Sequence, residues 1–214
     1  MNDKTLTVFA GANGSGKSTI IRKILSAGKC PGDFICPDNL VDPNHKDNIT
    51  AYLNAMNKAE QLREAALING VSFSFETVLS TYDKVDFIKR AKSKGYAIQI
   101  YYVLTESVEV NIKRVETRVA QGGHDVPRDK IISRYDKAMN LMPEVLRLAD
   151  IAVIYDNTGV SPQILMLYGG GKMQAQFGEH TADNVKNIII TKDTLPAWFV
   201  TKYYEKIITA FNRD

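Results

Sequence analysis

A chain of 214 residues can bury one full core with room for a small appendage. Its 44% hydrophobic and 24% charged content is ordinary for a globular protein, and no apolar run approaches the ~18 residues of a membrane span. A net charge of +3 is too small to argue by itself for nucleic acid.

The N-terminus, Met1-Asn2-Asp3-Lys4, lacks a basic segment followed by an apolar core, so a cytoplasmic protein with reduced thiols is expected. The spacing of Cys30 and Cys36 matches no zinc pattern. Leu6-Thr7-Val8-Phe9-Ala10 reads as a strand that runs directly into GANGSGKST, residues 11–19. This stretch fits G-x-x-x-x-G-K-[ST] through Gly11, Gly16, Lys17 and Ser18. Glycines let the backbone N–H groups of Ala12, Asn13, Gly14, Ser15 and their neighbours through Thr19 converge on an anion. Lys17 supplies an ammonium for the outer phosphates of ATP, and the Ser18 hydroxyl is placed to ligate Mg²⁺. The apolar-basic run from Ile20 to Leu25 reads as a helix whose N-terminal dipole adds positive charge beneath the phosphates.

Asp33 to Cys36 reads as a second strand stopped by Pro37-Asp38-Asn39. A long helix follows, with Ile49, Tyr52, Leu53, Met56, Ala59, Leu62 and Ala66 at three- and four-residue spacing and Gly70 closing it. Val71 to Phe75 alternates as a strand and ends at Glu76-Thr77. A helix from about Tyr82 to Lys94 leads to the strongest strand, Ala97 to Leu104. Next comes a helix from about Ser107 to Ala120, with Val108, Ile112, Val115 and Val119 on its stripe. After Gly122-Gly123, Pro127 suits a first helical position, Ile131, Tyr135 and Ala138 point inward, and Pro143 should kink that helix or begin a second piece. Ile151 to Tyr155 closes the alternating series.

The order β-α-β-α-β-α-β-α-β requires crossover helices on both faces of a mostly parallel sheet, here five-stranded. We therefore expect an α/β core over residues 1–158, with a lid around 114–134. Residues 159–214 should form an extension: Gln163–Leu167 and Lys172–Phe177 around Gly169-Gly170-Gly171 as a β-hairpin or two small strands, then a helix from about Pro196 to Phe211. The aromatics of that helix, Trp198, Phe199, Tyr203, Tyr204 and Phe211, read as core.

In such a sheet ligands sit beyond the carboxyl ends of the strands, which nominates the glycine loop, Asp38, Glu76-Thr77, Thr105 and Asp156-Asn157. Asp38 is open to three readings: a base for a substrate hydroxyl, an outer Mg²⁺ ligand, or a turn residue. Glu76 and Thr77 suit an acceptor bearing hydroxyls or amides, or cap the next helix, for which Ser80 and Thr81 also serve. Arg114 and Arg118 share a helix face with Asn111, and Arg128 and Arg134 lie on the next helix. Across their glycine hinge these arginines form either a lid that closes cations over a triphosphate or a solvated basic face. His124 reads as a loop residue.

With these residues assembled, the chain resembles the zeta toxin family of small P-loop kinases, in its zeta-toxin-like ATPase branch. The matching pieces are GANGSGKST, PDNL, FETVLS, RVETRVAQGGHDVP, RYDKAMNLMP and YDN at 155–157, spread over residues 5–157. The resemblance implies ATP and Mg²⁺ as cofactors and transfer to the sugar hydroxyl of UDP-N-acetylglucosamine. A small helical antitoxin is the implied partner. It also implies Asp38 as base, Glu76-Thr77 as acceptor-binding residues and Arg114 as a phosphate-binding arginine. Two features depart from the toxins. His124 stands where they carry an arginine, so Arg128 or Arg134 must supply that charge, and Glu76 adjoins Thr77 where they interpose a residue. The alternatives are a kinase for another sugar, a nucleoside or a polynucleotide end, or a nucleotide-dependent switch. No arginine-rich stripe interleaved with aromatics supports the polynucleotide version.

Overall fold

The computed structural model of the chain describes residues 4–42, 49–169, 176–177, 180–181 and 195–211. Strands β1 (Thr5–Ala10), β2 (Asp33–Phe34), β3 (Phe73–Thr77), β4 (Ala97–Leu104) and β5 (Ile151–Asp156) are mutually parallel, and β6 (Gln163–Gly169) pairs antiparallel with β5. The order is β2-β3-β1-β4-β5-β6. The α/β class is as the alternation predicts, with one strand more than expected: Gln163 to Leu167 joins the main sheet as an edge strand. Strands β7 (Gln176–Phe177) and β8 (His180–Thr181) pair with each other instead. The rest of the expected hairpin, including Gly170 and Gly171, lies outside the described residues.

The central strands are buried on both faces, so their side chains alternate between two cores. Leu6, Val8, Ile98, Ile100, Tyr102, Ala152 and Ile154 face one core. It is covered by α2 (Ile49–Asn69), α3 (Tyr82–Ser93), α5 (Arg128–Leu148) and the C-terminal helix. Phe9, Tyr101, Val103, Val153 and Tyr155 face the other, covered by Ile20, Ile21 and Ile24 of α1 (Lys17–Ser26). Helix α4 (Val108–Ala120) packs with α5 over a third cluster of Ile112, Val115, Val126 and Ile131.

Three local expectations are revised. Helix α5 runs through Pro143 as one element, so Pro143 does not begin a second piece. The missing proline N–H falls where α5 faces the C-terminal helix across a groove lined by Asn140, Pro143, Glu144, Arg147, Glu205 and Lys206. In α2 the buried positions are Ala55, Ala59, Arg63, Ala66 and Leu67. Ile49, Leu53 and Met56 are exposed, because the first half of the helix packs on the 3₁₀ turn Pro37–Asn39 rather than over the sheet. The second strand is two residues long, since Pro37 begins that 3₁₀ turn.

The C-terminal helix consists of α6 (Ala197–Phe199), a π-helical turn (Val200–Tyr204) and α7 (Glu205–Phe211). Phe199 and Tyr203 enter the same core as Tyr102 and Met142, joined by Ile207, with Trp198 partly buried against it. Tyr204 is outside the cluster, and the Phe211 side chain lies outside the described residues. Neither β6 nor this helix forms a separate body: both are layers of the sheet-centred unit.

Candidate active site

Strand β1 lies between β3 and β4, so the chain leaves its carboxyl end at the point where the sheet order reverses, and the glycine loop is placed there. The loop closes on itself through Ser15 N–H to the Ala12 carbonyl (3.2 Å) and Thr19 N–H to the Gly16 carbonyl (3.1 Å). Gly16, with φ 88°, immediately precedes α1. Ser18 and Thr19 follow on the first turn with exposed side chains. The Ser18 hydroxyl fits a hard cation that retains phosphate oxygens and waters as its other ligands.

Lys17 is buried. Its Nζ donates to the carbonyls of Gly11 (2.7 Å) and Ala12 (3.0 Å) and lies 3.7 Å from Glu76 Oε1. Burial pulls the ammonium below the usual lysine range, Glu76 pushes it back up, and Arg118 lowers it further. The end of β3 thus faces the phosphate loop with a carboxylate. Thr77, expected to serve the same acceptor, is engaged within the chain: its Oγ1 accepts from Leu79 N–H at 2.9 Å. That bond holds a buried turn in which Leu79 takes φ 55°.

The arginines divide. Arg114 Nη2 donates to the carbonyls of Thr158 (3.2 Å) and Gly159 (3.3 Å). Arg114 Nη1 lies 4.0 Å from where a Cβ on Gly16 would stand. Among the described residues this nitrogen and Ser15 Oγ are the two buried side-chain polar atoms without a hydrogen-bond partner. Arg134 Nη1 donates to Asn13 Oδ1 in the loop at 3.3 Å. Arg118 acts on Lys17 through its charge. Arg128 pairs with Glu116 at 3.8 Å on the surface. Of the two arginines left to replace the missing lid charge, Arg134 reaches the phosphate loop.

Asp38 is exposed on the 3₁₀ turn after β2. Beside it, burial pushes the Cys36 thiol up to about 11; backbone hydrogen bonds from Asp38 and Asn39 oppose that rise, and the charges of Asp38 and Glu76 add to it. Tyr52 of α2, read from the sequence only as part of an apolar stripe, belongs to the same surroundings. Burial raises its hydroxyl pKa, Asp38, Cys36 and Glu76 raise it further, and Arg134 opposes them. The Tyr52 ring stacks on His124 with centroids 5.8 Å apart and planes 21° apart. The loop between α4 and α5 therefore reaches across to α2.

Two asparagines complete the site. Asn111, fully buried on α4, donates from Nδ2 to the Asn13 carbonyl at 2.7 Å and meets the Thr105 hydroxyl through Oδ1. Asn157, just after β5, donates from Nδ2 to the Ser15 carbonyl at 2.7 Å. Tyr135 on α5 donates to the Thr105 carbonyl at 2.9 Å, which extends this polar chain into the core. A group of three or more His, Cys, Asp or Glu able to hold a metal is absent among the described residues. None of the described helices is long and apolar enough to cross a membrane.

A glycine loop at the sheet reversal, a buried lysine, a carboxylate at the end of the adjacent strand and arginines on the following helices define a P-loop kinase. A zeta toxin family model matches residues 42–162, more than half of the chain. The chain belongs to the zeta toxin family. The matched span begins past the phosphate loop and Asp38, so those two rest on the motif and on their geometry. An uncharacterized protein of Haemophilus influenzae is 30% identical over 128 residues, covering 59% of this chain and 89% of its own. A chain from the PezAT chromosomal toxin-antitoxin system of Streptococcus pneumoniae shares the fold with TM-score 0.50 and 21% identity, over 75% of this chain and 72% of that one. A chain of the AvrRxo1-ORF1:-ORF2 complex with ATP aligns with TM-score 0.60 and 16% identity, over 78% of this chain and 58% of that one.

Proposed function

We propose that the protein transfers the γ-phosphoryl group of ATP to a hydroxyl of a small-molecule acceptor, with UDP-N-acetylglucosamine the first candidate through its family. The observation that carries this reading is the buried, unpartnered Nη1 of Arg114 beside the phosphate loop. A buried charged donor without a partner loses free energy that an anion restores, and a phosphate on the loop is that anion. Lys17 would exchange its loop carbonyls for the outer phosphates. Arg134, already on Asn13, would add charge against the transferred group. The Ser18 hydroxyl would hold Mg²⁺, which would supply positive charge against the phosphates when bound.

Asp38 and Glu76 then lie on the acceptor side. The acceptor oxygen bonds to the γ-phosphorus as the bond to the β-γ bridging oxygen breaks, ADP leaves, and Asp38 takes the hydroxyl proton. The Tyr52–His124 contact closes the lid loop onto α2 and limits water as a competing acceptor. A small helical antitoxin is the partner that the family suggests. Other sugars or nucleosides remain within this same reading.

Incubation with labelled ATP and a panel of nucleotide sugars and nucleosides tests it, with Asp38→Asn as the control. Transfer should fall about 10²–10⁴-fold in the variant, the usual worth of a positioned base, while ATP affinity stays near wild type. A nucleotide-dependent switch predicts no phosphorylated product from wild type and an Asp38→Asn effect on nucleotide or partner binding. That outcome would overturn the kinase.

A further inference from the structure

The phosphate loop is held from outside at two alternate carbonyls. Asn111 Nδ2 binds the carbonyl of Asn13 and Asn157 Nδ2 that of Ser15, each at 2.7 Å. Both side chains are buried, and the glycine after each pinned carbonyl lies against the same residue, Gly14 against the Asn111 backbone and Gly16 against the Asn157 side chain. A Cβ on Gly14 would overlap the Asn111 backbone carbonyl oxygen, and one on Gly16 would overlap Asn157 Nδ2. Gly14 and Gly16 also take φ of 77° and 88°, so both sterics and backbone angle demand glycine there.

Each asparagine is itself anchored. Asn111 Oδ1 meets the Thr105 hydroxyl, which leaves the amide nitrogen directed at Asn13. Asn157 N–H binds the Leu104 carbonyl at 2.9 Å, fixing the start of the loop after β5 to the end of β4.

A trans peptide is planar, with its C=O and the next residue's N–H pointing in opposite directions. Pinning the Asn13 carbonyl therefore aims the Gly14 N–H away from Asn111. Pinning the Ser15 carbonyl does the same for the Gly16 N–H and Asn157. We infer that Asn111 and Asn157 are positioning residues for phosphate, each presetting one backbone donor, Gly14 N–H and Gly16 N–H respectively. This rests on the phosphate-loop reading above. Without the clamps either carbonyl could rotate inward and present a partial negative charge to the anion; with them the donors need no reorganisation on binding.

The test is amide-resolved NMR of the full chain titrated with tripolyphosphate, alongside calorimetric affinity for the same anion. In wild type both the Gly14 and Gly16 amides should shift on titration. Asn157→Ala should blunt the Gly16 response and spare Gly14, and Asn111→Ala should do the reverse. Each should weaken tripolyphosphate about tenfold, the scale of one lost orienting hydrogen bond. Asn111 is the more deeply buried, so if its variant does not fold, the Asn157→Ala arm decides alone. Unchanged responses, or both amides blunted equally by a folded variant, would overturn the inference, since a general packing defect has no reason to sort by residue. A wild-type protein whose two amides ignore tripolyphosphate would overturn the phosphate-loop reading itself.

Discussion

Lys17 carries its charge in a buried site, held by two carbonyls and Glu76. Lys17→Ala removes a transition-state donor, which is worth about 10²–10³ in rate, or roughly 3–4 kcal/mol. The fold should persist, because the ammonium stabilises the loop while its burial opposes the charge; melting curves and single-turnover transfer check the two halves. A pH dependence follows from the lowered pKa, whose first cause is burial. Between the folded value and the ordinary 10.5, the folded protein binds fewer protons than the unfolded chain. Stability contributed by Lys17 therefore rises with pH across that window and is lost as pH falls through it to the folded value. Phosphate affinity should run the other way, declining as the ammonium is titrated, and an affinity-versus-pH series on wild type and Lys17→Ala isolates it.

The element proposed to move is the connection between α4 and α5. Gly123 N–H returns to the Arg118 carbonyl at 2.9 Å and closes α4, while His124 reaches the Tyr52 ring. Arg134 on α5 touches the phosphate loop, so a bound triphosphate should draw α5 and this connection together. Hydrogen exchange over residues 121–126 is expected to slow with a non-hydrolysable ATP analogue. His124→Ala should speed it in the nucleotide-free protein, because the latch to α2 is gone. Equal exchange in all three samples would leave the loop a static connector. Arg128→Ala, by contrast, should change turnover little, since that side chain pairs with Glu116 on the surface.

At the scale of the molecule, the C-terminal helix is part of the core. Phe199 and Ile207 are fully buried against α5 and the sheet, and Lys202 Nζ donates to the Glu106 carbonyl at 3.0 Å, just before α4. Tyr203 and Tyr135 bear on each other's hydroxyls, and Tyr135 holds the Thr105 carbonyl behind Asn111. Ile207→Ala should cost about 2–5 kcal/mol of stability, the range for emptying a packed aliphatic site. Urea denaturation measures it. A loss below about 1 kcal/mol would mean that the helix is an appendage rather than a layer.

What the sequence determined alone was whatever depends on local spacing. The phosphate loop, the strand-helix alternation and the strand-end position of Asp38, Glu76 and Asn157 follow from motif, period and the parallel-sheet rule. Asn111 reads in the sequence only as a polar neighbour of Arg114 and Arg118, and its burial against the phosphate loop came from the packing. Tertiary structure decided everything that depends on two distant segments meeting. It turned Arg134 toward the loop and Arg128 toward Glu116, though both sit on one helix with equal charge. It left Ile49, Leu53 and Met56 of α2 exposed and brought Tyr52 to Asp38 and His124. It also made Gln163–Leu167 the sixth strand, because β5 offered an open edge to pair. Periodicity says which residues share a face; only the packed neighbours say which face is buried, and against what.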